Sequence, residues 1–181
     1  EFGGLRIFDS FGNVTGCTFL NNHAEFYGGG LKLEQSLDVA VHVAGNTFYG
    51  NRAERGGAGC ALWHCVNTFL ENNLFVRQGG TAGDAYFCQL PGEPVIGCNV
   101  VFDNPNPELG NCPADPTLLV ADPLFCSAAT GDFRLCASSP ALVNRGSCDT
   151  AGAFGVGCEG AGCAVAVRAT TWSQLKALYR P

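Results

Sequence analysis

The chain has no methionine, only two lysines (Lys32 and Lys176), and no apolar run near the ~18 residues of a membrane-spanning helix. Charged residues are 14% of its 181 positions, while hydrophobic residues are 46%. A disordered chain has the opposite balance, so one folded domain is expected. Its ten basic residues are scattered singly and the net charge is −6. That excludes the basic stripe of a nucleic-acid or anionic-membrane binder. With no initiating methionine, the chain reads as a mature or excised piece whose export leader has been removed. No C-x-x-C, C-x-x-C-H, G-x-S-x-G, Asp-Asp or D-x-D motif occurs. Zinc-ribbon, haem-attachment and serine-hydrolase readings therefore lose their usual signatures, and no metal, cofactor or catalytic residue is assigned.

Cysteine is abundant. Eleven are present, at 17, 60, 65, 88, 98, 112, 126, 136, 148, 158 and 163. Disulfides persist in oxidising compartments, so the expected location is secreted or cell-surface. The closest pairs, Cys60 with Cys65 and Cys158 with Cys163, each enclose four residues. The expected bridges are local and late: Cys98–Cys112, Cys126–Cys136 and Cys148–Cys158. Each closes a short turn-rich loop worth roughly 2–3 kcal/mol on a chain-entropy basis. An odd count leaves at least one thiol unbridged within the chain.

The chain repeats itself. Gly16-Cys17-Thr18-Phe19-Leu20-Asn21-Asn22 returns as Gly45-Asn46-Thr47-Phe48-Tyr49-Gly50-Asn51. Weaker copies are Asn72-Asn73-Leu74-Phe75-Val76-Arg77-Gln78 and Gly97-Cys98-Asn99-Val100-Val101-Phe102-Asp103-Asn104. Interleaved with these are Gly3-Gly4-Leu5-Arg6-Ile7, Gly28-Gly29-Gly30-Leu31-Lys32-Leu33 and Gly56-Gly57-Ala58-Gly59-Cys60-Ala61-Leu62. Ala82-Gly83-Asp84-Ala85-Tyr86-Phe87 is fainter. Apolar residues two apart mean strands with one buried face, and helical spacing is missing. Each repeat of 25–29 residues therefore reads as one coil of short strands. Stacking the coils predicts an inward column of Leu5, Leu31, Cys60 and Ala85, and an aromatic column of Phe19, Phe48 and Phe75. Asn22, Asn51, Gln78 and Asn104 fall at matching places, where stacked amides can form a ladder. Glycines fit the bends that need positive φ.

These G-x-x-F-x-x-N and G-G-G-[IL] repeats resemble the right-handed parallel β-helix of the pectin-lyase-like superfamily. The later blocks Ala121-Asp122-Pro123-Leu124-Phe125-Cys126, Gly131-Asp132-Phe133-Arg134-Leu135, Ser139-Pro140-Ala141 and Gly152-Ala153-Phe154-Gly155 are similar to the ends of secreted bacterial β-helix surface proteins. The resemblance implies an all-β solenoid over residues 1–160 whose last, disulfide-rich coils contain those blocks. Residues 161–181 would form a last strand or linker and a short C-terminal helical tail. On that helix Trp172, Leu175 and Leu178 share one face, which either seals the β-helix or docks a partner.

Solenoid ends need caps, and residue 1 enters almost directly into a coil. The open edge is a template for another chain, or the chain has been truncated. Tyr27, Tyr49 and Trp63 lie in or beside turns and could stack sugar rings. His23, His42 and His64 read as surface histidines, and Asn13-Val14-Thr15 as a glycosylation sequon. Asp122 reads as a turn initiator before Pro123. The expected function is an extracellular structural or adhesive β-solenoid with end-to-end or lateral self-contacts. A carbohydrate-binding module is the alternative, and a polysaccharide lyase or hydrolase stands third because the eight aspartates are dispersed.

Overall fold

The computed structural model describes residues 3–34, 40–81, 84–89, 92–105, 110–142 and 146–163. The chain winds into a β-solenoid of about three turns. The first layer is β1 (Leu5–Phe8), β2 (Gly12–Thr15), β3 (Thr18–Leu20) and the short β4 (His23–Ala24). The second is β5 (Leu31–Glu34), β6 (Val41–Ala44), β7 (Thr47–Tyr49) and β8 (Arg52–Ala53). The third is β9 (Cys60–Trp63), β10 (Thr68–Glu71) and β11 (Leu74–Val76). The fourth is β12 (Tyr86–Gln89), β13 (Val95–Gly97) and β14 (Val100–Phe102), with β15 (Leu119–Val120) added beyond. Equivalent strands pair in parallel, so three sheets run along the solenoid in the orders β1-β5-β9-β12, β2-β6-β10-β13 and β3-β7-β11-β14-β15.

Period two decides which side chains fill the solenoid. Leu31, Leu33, Leu62, Val43, Leu70 and Phe48 are among the buried residues of its core. Phe19 stacks on Phe48 with centroids 4.7 Å apart and planes within 7°, and Phe48 stacks on Phe75 at 4.7 Å and 10°. That spacing is the strand repeat itself, so the rings stack because their strands do. One expected column shifts by a residue. Leu5, Leu31 and Cys60 align with Tyr86, not Ala85. Ala85 instead takes the small-residue place of Gly59: a Cβ on Gly59 would lie 2.4 Å from the Ala85 carbonyl oxygen and 2.5 Å from the Phe75 ring. A one-residue slip turns every side chain of a strand to the opposite face, and so Tyr86 points inward.

Two ladders of buried amides flank the aromatic column. The expected one is present in part. The Asn51 side-chain oxygen accepts from the Asn22 backbone N–H and from its amide, both at 3.0 Å. The Asn104 oxygen accepts from the Gln78 N–H at 2.8 Å. The longer Gln78 breaks the run, leaving its buried Oε1 without a partner. The second ladder, Asn46–Asn73–Asn99, is fully buried. The Asn73 oxygen accepts from Asn46 N and Nδ2, both at 3.0 Å, and Asn99 does the same for Asn73. Nδ2 of each member also donates to the carbonyl of an earlier coil, Val14, Val43 or Leu70. Cys17 holds this place in the first layer, its N–H donating to the Asn46 oxygen.

Each ladder residue follows a left-handed corner. Gly16, Gly45, Asn72 and Cys98 occupy one corner, and Asn21, Gly50, Arg77 and Asp103 the other, all with φ between 52° and 65°. Gly, Asn and Asp tolerate that conformation, whereas Cys98 and Arg77 are strained there by about 1–2 kcal/mol. Cys98 is tied down by a disulfide and Arg77 by an ion pair.

The last blocks do not stack as further coils. β16 (Phe125–Ser127) and β17 (Asp132–Cys136) form an antiparallel pair, and β18 (Val156–Cys158) joins β17 in parallel. This small sheet and the residues around Ala141 and Ala151 form a C-terminal flap against the outer face of β7, β11 and β14. Leu74 and Val100 pack there with Leu135, Ala141 and Ala151. Gly152 N–H donates to the Asn72 carbonyl, and Ala153 N–H to the Thr47 hydroxyl. Strands Thr47–Tyr49 and Leu74–Val76 are covered on both faces, which is why they read as nearly continuous apolar runs.

Asn73→Ala leaves the Asn46 N–H and the Val43 carbonyl without the Asn73 side chain, while the Asn99 oxygen keeps only the backbone N–H at 73. The expected loss is about 3–5 kcal/mol, against about 1 kcal/mol for Asn22→Ala in the first layer. Urea midpoints at unchanged m-value measure both, and equal losses would refute a buried ladder.

Candidate functional site

The C-terminal flap meets the solenoid across a cleft of about 220 Å³. Tyr49, Arg77, Phe102, Asp122, Phe125 and the Cys136–Cys163 bridge line it. Tyr49 enters from β7 and packs on Phe133 and Phe125, with centroids 5.0 and 6.2 Å away. Arg77 is placed by its left-handed corner. Its Nε donates to Asp103 at 3.1 Å, and a terminal nitrogen donates to the Tyr49 hydroxyl at 2.9 Å. Those two partners hold its pKa above the ordinary arginine range, so it stays charged and paired with Asp103. Asp122 opens the turn before Pro123, as its Oδ1 accepts from the Leu124 N–H at 2.9 Å. The chemistry available is one guanidinium, one carboxylate, aromatic surface and a disulfide.

The three candidate aromatic residues do not share one platform. Tyr27 and Trp63 meet edge to face at 5.2 Å, and Phe87 lies 5.1 Å from Tyr27. Lys32, only 6% exposed, sets its Nζ 4.0 Å from the Trp63 ring centroid and 3.2 Å from Glu34. Burial pushes the Glu34 carboxyl up, but hydrogen bonds from Arg6 and Lys32 outweigh it and hold the pKa low. Tyr49 belongs to the other site, in the cleft.

The described histidines serve separate places. His23 approaches Glu54 at 3.4 Å, His42 stacks on Phe69 at 4.4 Å, and His64 is an exposed left-handed corner. Glu54 is the most clamped carboxylate. It accepts from the Thr81 hydroxyl at 2.7 Å and from Arg52 Nε at 2.9 Å, which lowers its pKa to about 2. Asp132 is lowered to about 2 in the same way by Arg134. Burial pushes the Cys60 thiol well up, with Cys65 adding to it, so Cys60 stays protonated. Asn13 of the sequon is exposed on β2. Trp172, Leu175, Leu178 and the expected helical tail lie outside the described residues.

All six cysteines expected in bridges are bridged, but none of the three expected pairings forms. The bridges are Cys88–Cys112, Cys98–Cys148, Cys126–Cys158 and Cys136–Cys163. The reason is the flap. Its fold-back on the solenoid pairs Cys98 with Cys148. The return of β18 and the turn after it beside β16 and β17 pairs Cys126 with Cys158 and Cys136 with Cys163, whereas Cys88–Cys112 ties β12 to the loop after β14. Cys98–Cys148 then fastens the flap to the coil corner before β14. Cys17, Cys60 and Cys65 are thiols. Four disulfides place the chain in a non-cytoplasmic setting, and no helix among the described residues is long and apolar enough to cross a membrane. Sequence reasoning missed Arg77, Phe102 and the cluster of Cys126, Cys136 and Cys158, whose sulfurs lie within 4.8 Å of one another. Only Arg77 left a signal: it stands where the earlier repeats have Asn21 and Gly50.

Two outcomes follow from this geometry. Peptide mapping without reduction is expected to recover the four bridges above, and recovery of Cys98–Cys112 in place of Cys98–Cys148 would refute the fastening of the flap to the solenoid. By carboxyl-carbon NMR, Glu54 is expected to titrate near 2, not near its ordinary 4.5. Its folded pKa is depressed, so its contribution to stability is complete above about 4.5 and is lost as pH falls toward 2. A midpoint above 4 would remove the Thr81–Arg52 clamp. No protein-family model, curated protein or solved structure matches this chain.

Proposed function

We propose that the chain is an extracellular structural or adhesive β-solenoid that binds further copies of itself through the edge of its first layer. The observation that carries this reading is that edge. β1, β2 and β3 all lie last in their sheets, on the same end of the solenoid. Among the described residues no further strand lies beyond them, Leu5, Phe8 and Leu20 are exposed along that edge, and Phe11 between β1 and β2 is 83% exposed. A strand edge carrying apolar side chains is a template for strand addition. Head-to-tail addition that does not close extends into a filament. The parallel β-helix of the pectin-lyase-like superfamily, in its secreted surface-protein branch, is the form that the repeats resemble.

Glycan binding is the weaker reading. Trp63 presents one face to Lys32 and contacts Tyr27, so its ring is already engaged. Tyr49 is occupied by Arg77 and Phe133.

Sedimentation velocity from about 1 to about 100 µM tests the proposal. Growth of larger species with concentration is expected, visible as rods or filaments by electron microscopy and abolished by Phe8→Asp with Phe11→Asp. A single monomeric species throughout would overturn self-assembly. Retention of a polysaccharide by that monomer, lost on Trp63→Ala, would establish the glycan reading instead.

A further inference from the structure

We propose that Cys126, Cys136, Cys158 and Cys163 form a thiol–disulfide exchange centre, reached through the Arg77 cleft by small thiols. The inference is independent of self-assembly. The Cys126–Cys158 and Cys136–Cys163 bridges are in direct contact. Cys158 Sγ lies 3.4 Å from Cys136 Sγ and 3.3 Å from Cys163 Sγ, so it touches both sulfurs of the other bridge. Disulfides exchange when a thiolate attacks a disulfide sulfur. Here a thiolate released from one bridge is already at contact distance from the next.

The cleft supplies entry. Cys136 and Cys163 are among its lining residues, whereas Cys88, Cys112, Cys98 and Cys148 are not. Cys136 is fully buried and Cys163 half-buried, so the reachable sulfur is that of Cys163. Arg77 lines the same cleft with its side chain 59% exposed. Its guanidinium is paired with Asp103, and Asp122 lines the same cleft, so it offsets carboxylates that would otherwise repel an anionic thiol such as glutathione.

The steps balance without an outside oxidant. The incoming thiolate bonds to Cys163 Sγ, the Cys136–Cys163 bond breaks, and the electron pair leaves on Cys136. The buried Cys136 thiolate is poorly solvated and attacks Cys158 Sγ. The Cys136–Cys158 bond forms, the Cys126–Cys158 bond breaks, and the pair leaves on Cys126, which takes a proton from water. Two disulfide bonds break and two form. The product carries the small thiol on Cys163, a Cys136–Cys158 bridge and a thiol at Cys126, a half-buried position.

The test uses the intact oxidised protein, reduced glutathione, alkylation at timed intervals and peptide mapping without reduction. Glutathione on Cys163, alkyl on Cys126 and a new Cys136–Cys158 link are expected together. They should appear about tenfold faster than opening of Cys88–Cys112 or Cys98–Cys148. Adducts spread evenly over all four bridges, or alkylated Cys136 beside an intact Cys126–Cys158 link, would overturn the centre. With Arg77→Gln, the glutathione rate should fall about threefold more than the rate with uncharged 2-mercaptoethanol. An equal change with both thiols would overturn entry past Arg77 and its neighbouring carboxylates.

Discussion

Everything in this molecule depends on keeping the coils in one-to-one register. Strand pairing alone does not enforce that, since a parallel ladder is indifferent to which residue meets which. The buried amides do enforce it. An Asn inside an apolar solenoid costs several kcal/mol unless each polar atom finds a partner. For Asn73 those partners exist only when Asn46, Asn99 and the Val43 carbonyl are at their own levels. A slip of one residue would strand all of them at once. The stacked phenyl rings add attraction, but they could slide; the amides could not. Left-handed corners on either side of each aromatic strand follow from the same demand, because they turn the next side chain inward to meet the ladder.

The flap solves a problem that the aromatic sheet creates. Its strands are only three residues long and carry large apolar groups on both faces. Facing water, Leu74, Val76 and Val100 would expose a continuous apolar strip. The antiparallel pair and its following segment cover that strip, and Gly152 permits the approach: a Cβ there would meet Leu74 at 2.5 Å. β3, at the uncovered end, keeps Thr18 and Leu20 exposed. The cleft beside Arg77 lies where the coil corners and the flap meet.

How much of this was legible follows from which interactions are periodic. The Phe19–Phe48–Phe75 column and the Asn22–Asn51 rung repeat at the coil length, so alignment of the repeats reveals them. The Asn46–Asn73–Asn99 ladder repeats equally well, yet Cys17 in the first copy breaks the pattern at the place where a repeat is first read. Ala85 misleads for a related reason: it is apolar, and nothing local distinguishes a core alanine from one standing in for glycine. The disulfides were not legible. Short loops favour local closure on entropy alone, whereas Cys98–Cys148 depends on a fold-back whose contacts, such as Ala153 with Thr47, span 106 residues, and the other pairings depend on how the flap and the loop after β14 fold. The aromatic residues in turns were visible as candidates, but their separation onto two sites comes from sheet membership.

Cross-links and ladders divide the labour along the axis. Every bridge begins at Cys88 or later, so the fourth layer, its loop and the flap are covalently held. The first three layers contain only thiols, at Cys17, Cys60 and Cys65. Their cohesion comes from nearest-neighbour stacking, and in a solenoid each layer is only as stable as its neighbours make it. Among the described residues the first layer pairs only with the second, and the Asn46–Asn73–Asn99 ladder meets a cysteine there. Local opening should therefore begin at β1–β3 and stop at the bridged layers, long before global unfolding. The same asymmetry leaves the first-layer edge without a covalent tie, while the cleft and its sulfurs sit on the cross-linked part.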